Sequence, residues 1–222
     1  QNIVVIPAEK VVSLSWGAEH GVAVTETGRE LPFHKLAIAT GSDPKRLTCE
    51  GADLDGVLYM RGLDDANELK ARWEGIQNIV VIGGGFIGLE VAAVARKYNK
   101  TVTVVHSRDR LMSRAVGPVV SDFFLEAHTK RGATVLLEKR LTKLHGENGK
   151  VTGVELQDGT VIPADAVMVG IGVAPRGELA DQLGLESAEN GAIVVDSHAQ
   201  TSDPRVVACG DVAYLPHPLG GE

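Results

Sequence analysis

Apolar positions along the chain fall into three recurring patterns. Short solid runs, Ile79-Val80-Val81-Ile82 and Ala166-Val167-Met168-Val169, read as strands buried on both faces. Thr101–His106 is rich in β-branched residues and reads as a further parallel strand. Three stretches carry helical spacing instead: Leu63–Gly75, with an acidic first turn, Phe86–Asn99, rich in Ala, Val and Leu, and Pro118–Arg131. The predicted order begins with β segments over Gln1–Thr40, the first at Asn2–Ile6, and a Pro/Gly-containing loop over Gly41–Gly56. The helices and strands above follow. Then come a strand at Thr134–Glu138, a meander from Leu141 to Ile162 and a strand at Ala166–Gly170. Ala192–Val195 and Val206–Cys209 resume strands that rejoin the first forty residues. Such an order predicts an α/β fold in which residues 76–190 form one domain inserted into another, made of residues 1–75 and 191–222.

The richest local signal is Asn78–Glu90, N-I-V-V-I-G-G-G-F-I-G-L-E. A buried-strand pattern runs into Gly83-x-Gly85-x-x-Gly88 and then into a helical pattern, the context that a dinucleotide fingerprint requires. Gly83 permits the tight turn, Gly85 lets the backbone approach a pyrophosphate, and Gly88 lets helix pack on strand. Phe86 and Ile87 open the helix, whose N-terminal amides and dipole favour phosphate.

The chain also repeats itself. Val22–Gly41 and Gly153–Gly172 align at an offset of 131 residues, matching Gly28 with Gly159, Leu31 with Ile162, Pro32 with Pro163 and Gly41 with Gly172. The same offset carries Ile3–Ile6 onto Thr134–Leu137 with no gap. One supersecondary unit used twice implies two nucleotide halves. The glycine loop of the first half is expected about 48 residues ahead of Gln1, so the chain reads as truncated. Such a truncated chain is expected to hold flavin poorly and to purify colourless.

Composition narrows the function classes. The chain is 44% hydrophobic with a net charge of −7, which suits a soluble protein and disfavours nucleic acid as the main partner. No apolar run approaches the ~20 residues of a membrane helix. Cys49 and Cys209 are far apart and no Cys-x-x-Cys occurs, so neither a disulfide framework nor a dithiol site is expected. The expected compartment is the cytoplasm. The histidines His20, His34, His128, His145, His198 and His217 share no metal-ligand spacing. Trp16 and Trp73 read as packing residues.

With these residues in hand, the chain resembles the FAD-dependent pyridine nucleotide-disulfide oxidoreductases, and among them the ferredoxin or rubredoxin reductases of oxygenase electron-transfer chains. The phrases that carry the resemblance are L-A-I-A-T-G, L-Y-M-R-G-L-D-D-A, G-G-G-F-I-G-L-E-V-A-A, V-G-I-G-V-A-P, T-S-D-P-R-V-V-A-C-G-D-V-A and P-H-P-L. They span essentially the whole chain. The fold so implied is a Rossmann-like three-layer NAD(P)-binding domain inserted into a partial FAD-binding domain of related fold. The implied activity passes hydride from NAD(P)H to FAD, then electrons singly to a ferredoxin or rubredoxin-type acceptor. The missing dithiol fits this subgroup. An interface domain is expected to follow Glu222. Two alternatives stay open: a flavin-free NAD(P) dehydrogenase, which the repeat disfavours, and a protein of the apoptosis-inducing-factor group, whose redox state controls association.

The resemblance also implies roles. Glu90 would hold the nicotinamide carboxamide, although an acidic residue there also suits the helix dipole. Gly170, Ile171 and Gly172 would let the nicotinamide ring approach backbone. Asp211 would meet the ribityl or phosphate end of FAD, a plain helix cap being the alternative. Arg61 would face the flavin, the backbone of Val11 the adenine, and Thr40 and Gly41 would line the FAD site.

One stretch departs from the pattern. NAD-binding units carry an acidic residue about 20 residues after the fingerprint, accepting from the ribose 2′-OH. Here that position is His106, followed by Arg108, Arg110 and Arg114. Loss of the carboxylate removes repulsion of a 2′-phosphate, and a guanidinium can bind one bidentately. Use of NADPH at least as readily as NADH is expected. The alternative is that Asp109 accepts the 2′-OH while the arginines are solvated.

Overall fold

The structure is a computed structural model and describes residues 2–215. In chain order its elements are β1 (Val11–Trp16), β2 (Gly21–Thr25), β3 (Glu30–Phe33), β4 (Leu36–Ile38), β5 (Ser42–Pro44), β6 (Val57–Tyr59), α1 (Leu63–Arg72), β7 (Asn78–Ile82), α2 (Phe86–Lys97), β8 (Thr101–Val105), α3 (Pro118–Lys130) and β9 (Thr134–Leu136). There follow β10 (Leu141–Glu147), β11 (Lys150–Leu156), β12 (Val161–Pro163), β13 (Ala166–Val169), β14 (Val173–Pro175), α4 (Glu178–Gln182), β15 (Ile193–Val194), β16 (Val206–Ala208) and β17 (Ala213–Tyr214). The chain divides into two compact units: Pro44–Gly172, and Gln1–Asp43 with Val173–Glu222.

Pro44–Gly172 is built on a parallel sheet of five strands in the order β6-β13-β7-β8-β9. Because side chains alternate along a strand, β7 feeds two cores at once. Ile79 and Val81 join Leu89, Ala92 and Ala95 of α2 and Val104 of β8 on one face. Val80 and Ile82 join Leu144, Val154 and Leu156 of the antiparallel sheet β10-β11-β12 on the other. The result has three layers: helices, parallel sheet, meander. α2 closes at Asn99, which takes the left-handed conformation (φ 57°), with Arg96 and Lys97 in the last turn beside the negative dipole end.

The outer unit carries the antiparallel sheet β1-β2-β3 and the parallel pairs β4–β16 and β15–β17. Its core gathers Ile38, Leu185, Ile193, Val195, Val206, Ala208 and Val212.

The compact inner unit therefore runs over 44–172 where the sequence suggested 76–190. On its N-terminal side, β6 pairs with β13 and adds an edge strand to the parallel sheet, so residues before 76 belong with it. On the other side, Gln182 of α4 accepts the Leu14 N–H (2.8 Å), which ties the segment after 172 to β1. Neither β5, β14 nor α4 was expected; each is five residues or fewer, too short for a periodic signal.

The internal repeat is present as structure, with one adjustment. Val22 pairs with Pro32 and Gly153 with Pro163; Ala23 pairs with Leu31 and Val154 with Ile162, each at the 131 offset. Gly28 (φ 82°) and Gly159 (φ 80°) close the same turn. In the first strand of each sheet the equivalence slips by one: Leu14 pairs with Ala23, and Leu144 with Val154. The slip is absorbed at the hairpin turn, where β10 also bulges between His145 and Gly146.

One expectation fails outright. Residues 2–6 form no strand, and Ile3, Val4 and Val5 are exposed. Their counterpart β9 exists because it pairs with β8. Among the described residues, no strand pairs with residues 2–6. The phrase P-H-P-L, with His217, lies outside the described residues.

Candidate dinucleotide site

The inner unit ends β7 at Ile82 and starts α2 at Phe86, leaving Gly83, Gly84 and Gly85 as the connection. Gly83 sits at φ 113°, a conformation that disfavours any side chain. A Cβ there would lie 2.2 Å from the Gly170 carbonyl oxygen at the end of β13. A Cβ on Gly88 would lie 2.3 Å from the Gly83 carbonyl oxygen, so α2 packs backbone to backbone on the loop. Gly85 differs: nothing lies within 4 Å of its Cβ position, and it caps α2 with no side-chain bond to the first amides. The three glycines thus do different work. Gly83 and Gly88 close the loop against β13 and α2, while Gly85 leaves open space at a bare helix N-terminus. That cradle fits a pyrophosphate.

The ends of β7, β8 and β13 bring the remaining expected residues of this unit to the same edge of the sheet. Phe86 and Ile87 are half-exposed in the first turn of α2, and Glu90 is exposed one turn further on. Gly170 approaches Gly88, its Cβ position lying 3.6 Å from the Gly88 nitrogen. Ile171 is partly exposed, and Gly172 (φ 106°) accepts the Lys45 N–H at 2.9 Å.

After β8 the chain turns through His106–Arg110. The His106 ring is half-buried, its Cγ 3.0 Å from the Cβ position of Gly84. Its Nδ1 accepts the Gly84 N–H at 3.0 Å, so Nε2 carries the hydrogen and donates to the Arg110 carbonyl at 3.1 Å. Burial pushes its pKa below the ordinary histidine value, and the Arg108 charge adds to that, while the Arg110 carbonyl and Asp109 oppose it. Arg110 is committed to structure: its guanidinium donates to the carbonyls of Val116 (2.6 Å) and Ser113 (2.9 Å) and to the Ser121 hydroxyl (3.0 Å). Arg108 and Arg114 are exposed and, among the described residues, make no ion pair. Sequence reasoning gave Arg110 no structural task. It also missed the Gly84–His106 bond, because no spacing rule marks a glycine beneath an imidazole.

The outer unit groups a second set. β4 and β16 run side by side with Ile38 opposite Ala208, so Thr40, Gly41, Gly210 and Asp211 leave the same edge. The Thr40 hydroxyl donates to the Arg176 carbonyl at 2.7 Å, and Gly41 (φ 73°) accepts the Arg176 N–H at 2.9 Å. Asp211 is exposed at the start of a 3₁₀ turn and accepts from the fully buried Ser42 hydroxyl at 2.8 Å. Ser42 had given no signal in the sequence. Val11 opens β1 opposite Thr25, away from that cluster in the chain. Arg61, in the inner unit, precedes α1, and its N–H donates to the Asp65 carboxylate at 2.7 Å.

Trp16 packs edge-on to Phe33 under Arg205, and Trp73 edge-on to Tyr98, as packing residues do. Among the described residues no cluster of His, Cys, Asp and Glu could hold a metal, and no helix is long and apolar enough to cross a membrane.

Comparison with known proteins is consistent across sequence and structure. A family model described as pyridine nucleotide-disulphide oxidoreductase matches residues 1–219. Rubredoxin-NAD(+) reductase of Pseudomonas putida is 39% identical over 212 residues, covering 96% of this chain and 54% of that protein. A ferredoxin–NAD(P)(+) reductase of Sphingomonas is 43% identical over 186 residues, covering 84% and 44%. The crystal structure of the ferredoxin reductase for the CYP199A2 system of Rhodopseudomonas palustris superposes with a TM-score of 0.89 at 37% identity, covering 95% of this chain and 51% of that one. The chain spans about half the length of the curated relatives it matches.

Proposed function

The chain belongs to the pyridine nucleotide-disulphide oxidoreductase family, and we propose that it serves in an FAD-dependent reductase that takes hydride from NAD(P)H and passes electrons to a ferredoxin or rubredoxin-type acceptor. The observation that carries this reading is the backbone closure of Gly83 on Gly170 and of Gly88 on Gly83, with Gly85 left open at a bare helix N-terminus. The names of the similar reductases support the acceptor class.

In this reading residues 44–172 take NAD(P) and the outer unit takes FAD. The amides at the start of α2 hold the pyrophosphate, Glu90 meets the carboxamide, and the bare backbone of Gly170–Gly172 with Ile171 gives the nicotinamide a flat, apolar floor. Thr40, Gly41, Asp211, the backbone of Val11 and Arg61 serve the flavin. FAD, when bound, supplies the switch between two-electron and one-electron transfer. The cytoplasm supplies NAD(P)H and keeps thiols such as Cys49 and Cys209 reduced, and we place the protein there.

At the ribose end, His106 replaces a carboxylate, and Arg108 and Arg114 offer guanidinium groups that make no ion pair among the described residues. NADPH is therefore accepted at least as well as NADH. The activity is tested by NAD(P)H-driven reduction of a ferredoxin, a rubredoxin or a dye by the full-length protein; no turnover with any of them overturns it. The cofactor preference is tested by comparing 2′,5′-ADP with 5′-AMP, where tighter binding of 5′-AMP overturns it.

A further inference from the structure

His106 stands where a ribose-binding carboxylate is expected, yet both of its ring nitrogens are engaged by the protein backbone. Gly84 N–H, 3.0 Å away, can only donate, so Nδ1 must be its acceptor. The other nitrogen faces the Arg110 carbonyl at 3.1 Å, which can only accept. These two bonds link the middle of the glycine loop to the turn after β8. The same loop is pinned by the Met112 N–H donating to the Gly84 carbonyl (2.9 Å) and the Gly83 N–H donating to the Val105 carbonyl (2.8 Å). Leu111 closes over the ring's neighbour: a Cβ on Gly84 would meet Leu111 Cδ2 at 2.5 Å. Gly84 is thus glycine because the imidazole and Leu111 fill the space that a side chain would need.

We propose that His106 is a positioning residue for the dinucleotide loop, holding the Gly84 peptide in place as a neutral hydrogen-bond acceptor rather than touching ribose or phosphate itself. The inference rests on the nucleotide reading of that loop. A proton on Nδ1 would set two donors against each other across 3.0 Å, and the clip would open. Burial holds the ring neutral. The charges that bear on it are Arg108, which disfavours a second proton, and Asp109, which favours one. The glycine loop carries no charge, and the adjoining turn adds Glu138 and Lys139, the latter paired with Asp158. Above the folded pKa the loop is held. As pH falls through it, the loop loosens and nucleotide affinity is lost. Direct contact with phosphate would give the opposite sign, because a cationic imidazole attracts the anion.

The sign makes the experiment decisive. The probe is NAD+, whose pyrophosphate does not titrate near neutrality, and the full-length protein is titrated with it between about pH 8 and pH 5.5, with circular dichroism confirming the fold. Wild type is expected to weaken as pH falls, by roughly tenfold per pH unit once the pH lies below the lowered folded pKa of His106, and the titration is carried further down for as long as circular dichroism shows the fold intact. His106→Asn keeps an acceptor towards Gly84 and cannot be protonated, so its affinity is expected to change by less than about twofold. Nitrogen-15 NMR of the ligand-free protein at neutral pH is expected to show a neutral ring with its hydrogen on Nε2. Tighter NAD+ binding at low pH, the same pH slope in His106→Asn, or a charged ring at neutral pH each overturns the proposal. NAD+ binding at no pH, with the NMR signature intact, overturns the nucleotide reading itself. The NMR arm needs no variant, so a His106→Asn protein that fails to fold leaves the proposal open to refutation.

Discussion

The Cβ position of Gly83 lies 2.2 Å from the carbonyl oxygen of Gly170, two residues 87 apart in sequence that close the end of one parallel sheet. The contact joins the turn after β7 to the first residue beyond β13, and it explains why the loop must be glycine at 83 for reasons of fold, whereas the Cβ position of Gly85 meets nothing and its glycine is explained by the proposed ligand.

Substitutions at these two positions are expected to separate those reasons. Gly83→Ala forces a methyl group into backbone at a left-handed φ, and backbone strain alone costs about 1–3 kcal/mol. Its thermal midpoint is expected to fall by several degrees, with nucleotide affinity falling as a consequence. Gly85→Ala meets nothing within 4 Å. Its midpoint is expected to stay near wild type while NAD+ binding is lost, because the methyl group occupies the space reserved for the pyrophosphate. Calorimetry beside a binding isotherm checks both, and a strongly destabilised Gly85→Ala would show that the space is structural.

The three arginines after His106 are expected to divide in the same way. Arg108→Ala and Arg114→Ala remove exposed guanidinium groups with no ion-pair partner among the described residues. Each is expected to weaken 2′,5′-ADP by about tenfold, the worth of a charge-assisted bond, and to leave 5′-AMP nearly unchanged. Arg110→Ala strands the carbonyls of Ser113 and Val116 and takes a donor from the Ser121 hydroxyl, which still donates to the Leu111 carbonyl, and is expected to lower stability instead of shifting the cofactor ratio. Equal loss of both ligands in the Arg108 and Arg114 variants would count against a 2′-phosphate contact.

How far the sequence foretold this arrangement depends on the range of each interaction. The strands and helices of the inner unit were legible because β7, α2, β8 and α3 each carry a full period of pattern, and the glycine fingerprint marked the turn between the first two. The repeat was legible too, down to the paired Pro32 and Pro163. Segment 2–6 was misread as a strand because an apolar run says nothing of whether a partner strand is there. The compact unit reaches further towards the N-terminus than residue 76 because β6, only three residues long, reveals its allegiance through pairing with β13. Ser42 beneath Asp211, and Gly84 beneath His106, join residues 169 and 22 apart through single hydrogen bonds, which leave no periodic trace.

The Ser42–Asp211 bond gives a prediction for the flavin. Ser42 is fully buried and its hydroxyl donates to the Asp211 carboxylate, helping to orient that group. Ser42→Ala is expected to cost about 1 kcal/mol in stability and to lower flavin occupancy of the full-length protein by allowing Asp211 to turn. Asp211→Ala is expected to lower occupancy further. Absorbance of purified protein gives the ratio of flavin to polypeptide; unchanged occupancy in both variants would remove Asp211 from the flavin site.

Stability is expected to decline on the acid side for a reason located in α3. His128 is buried with its ring stacked on Phe124, and burial, helped by the nearby Arg131 charge, holds its pKa below the ordinary value. The unfolded chain takes up a proton near pH 6.5 while the folded chain resists, so the stability present above about pH 6.5 is lost as pH falls through the lowered folded value. His128→Phe keeps an aromatic ring against Phe124 and removes the titration. Its thermal midpoint is expected to change less than that of wild type between about pH 7 and pH 5, with the half-buried His106 left as another imidazole whose pKa burial lowers. Because His106 contributes with the same sign, the His128→Phe curve is expected to flatten only in part, and adding His106→Asn is expected to flatten it further. Parallel midpoint curves for wild type and His128→Phe would show that the buried ring at 128 is protonated as readily in the folded chain as in the unfolded one.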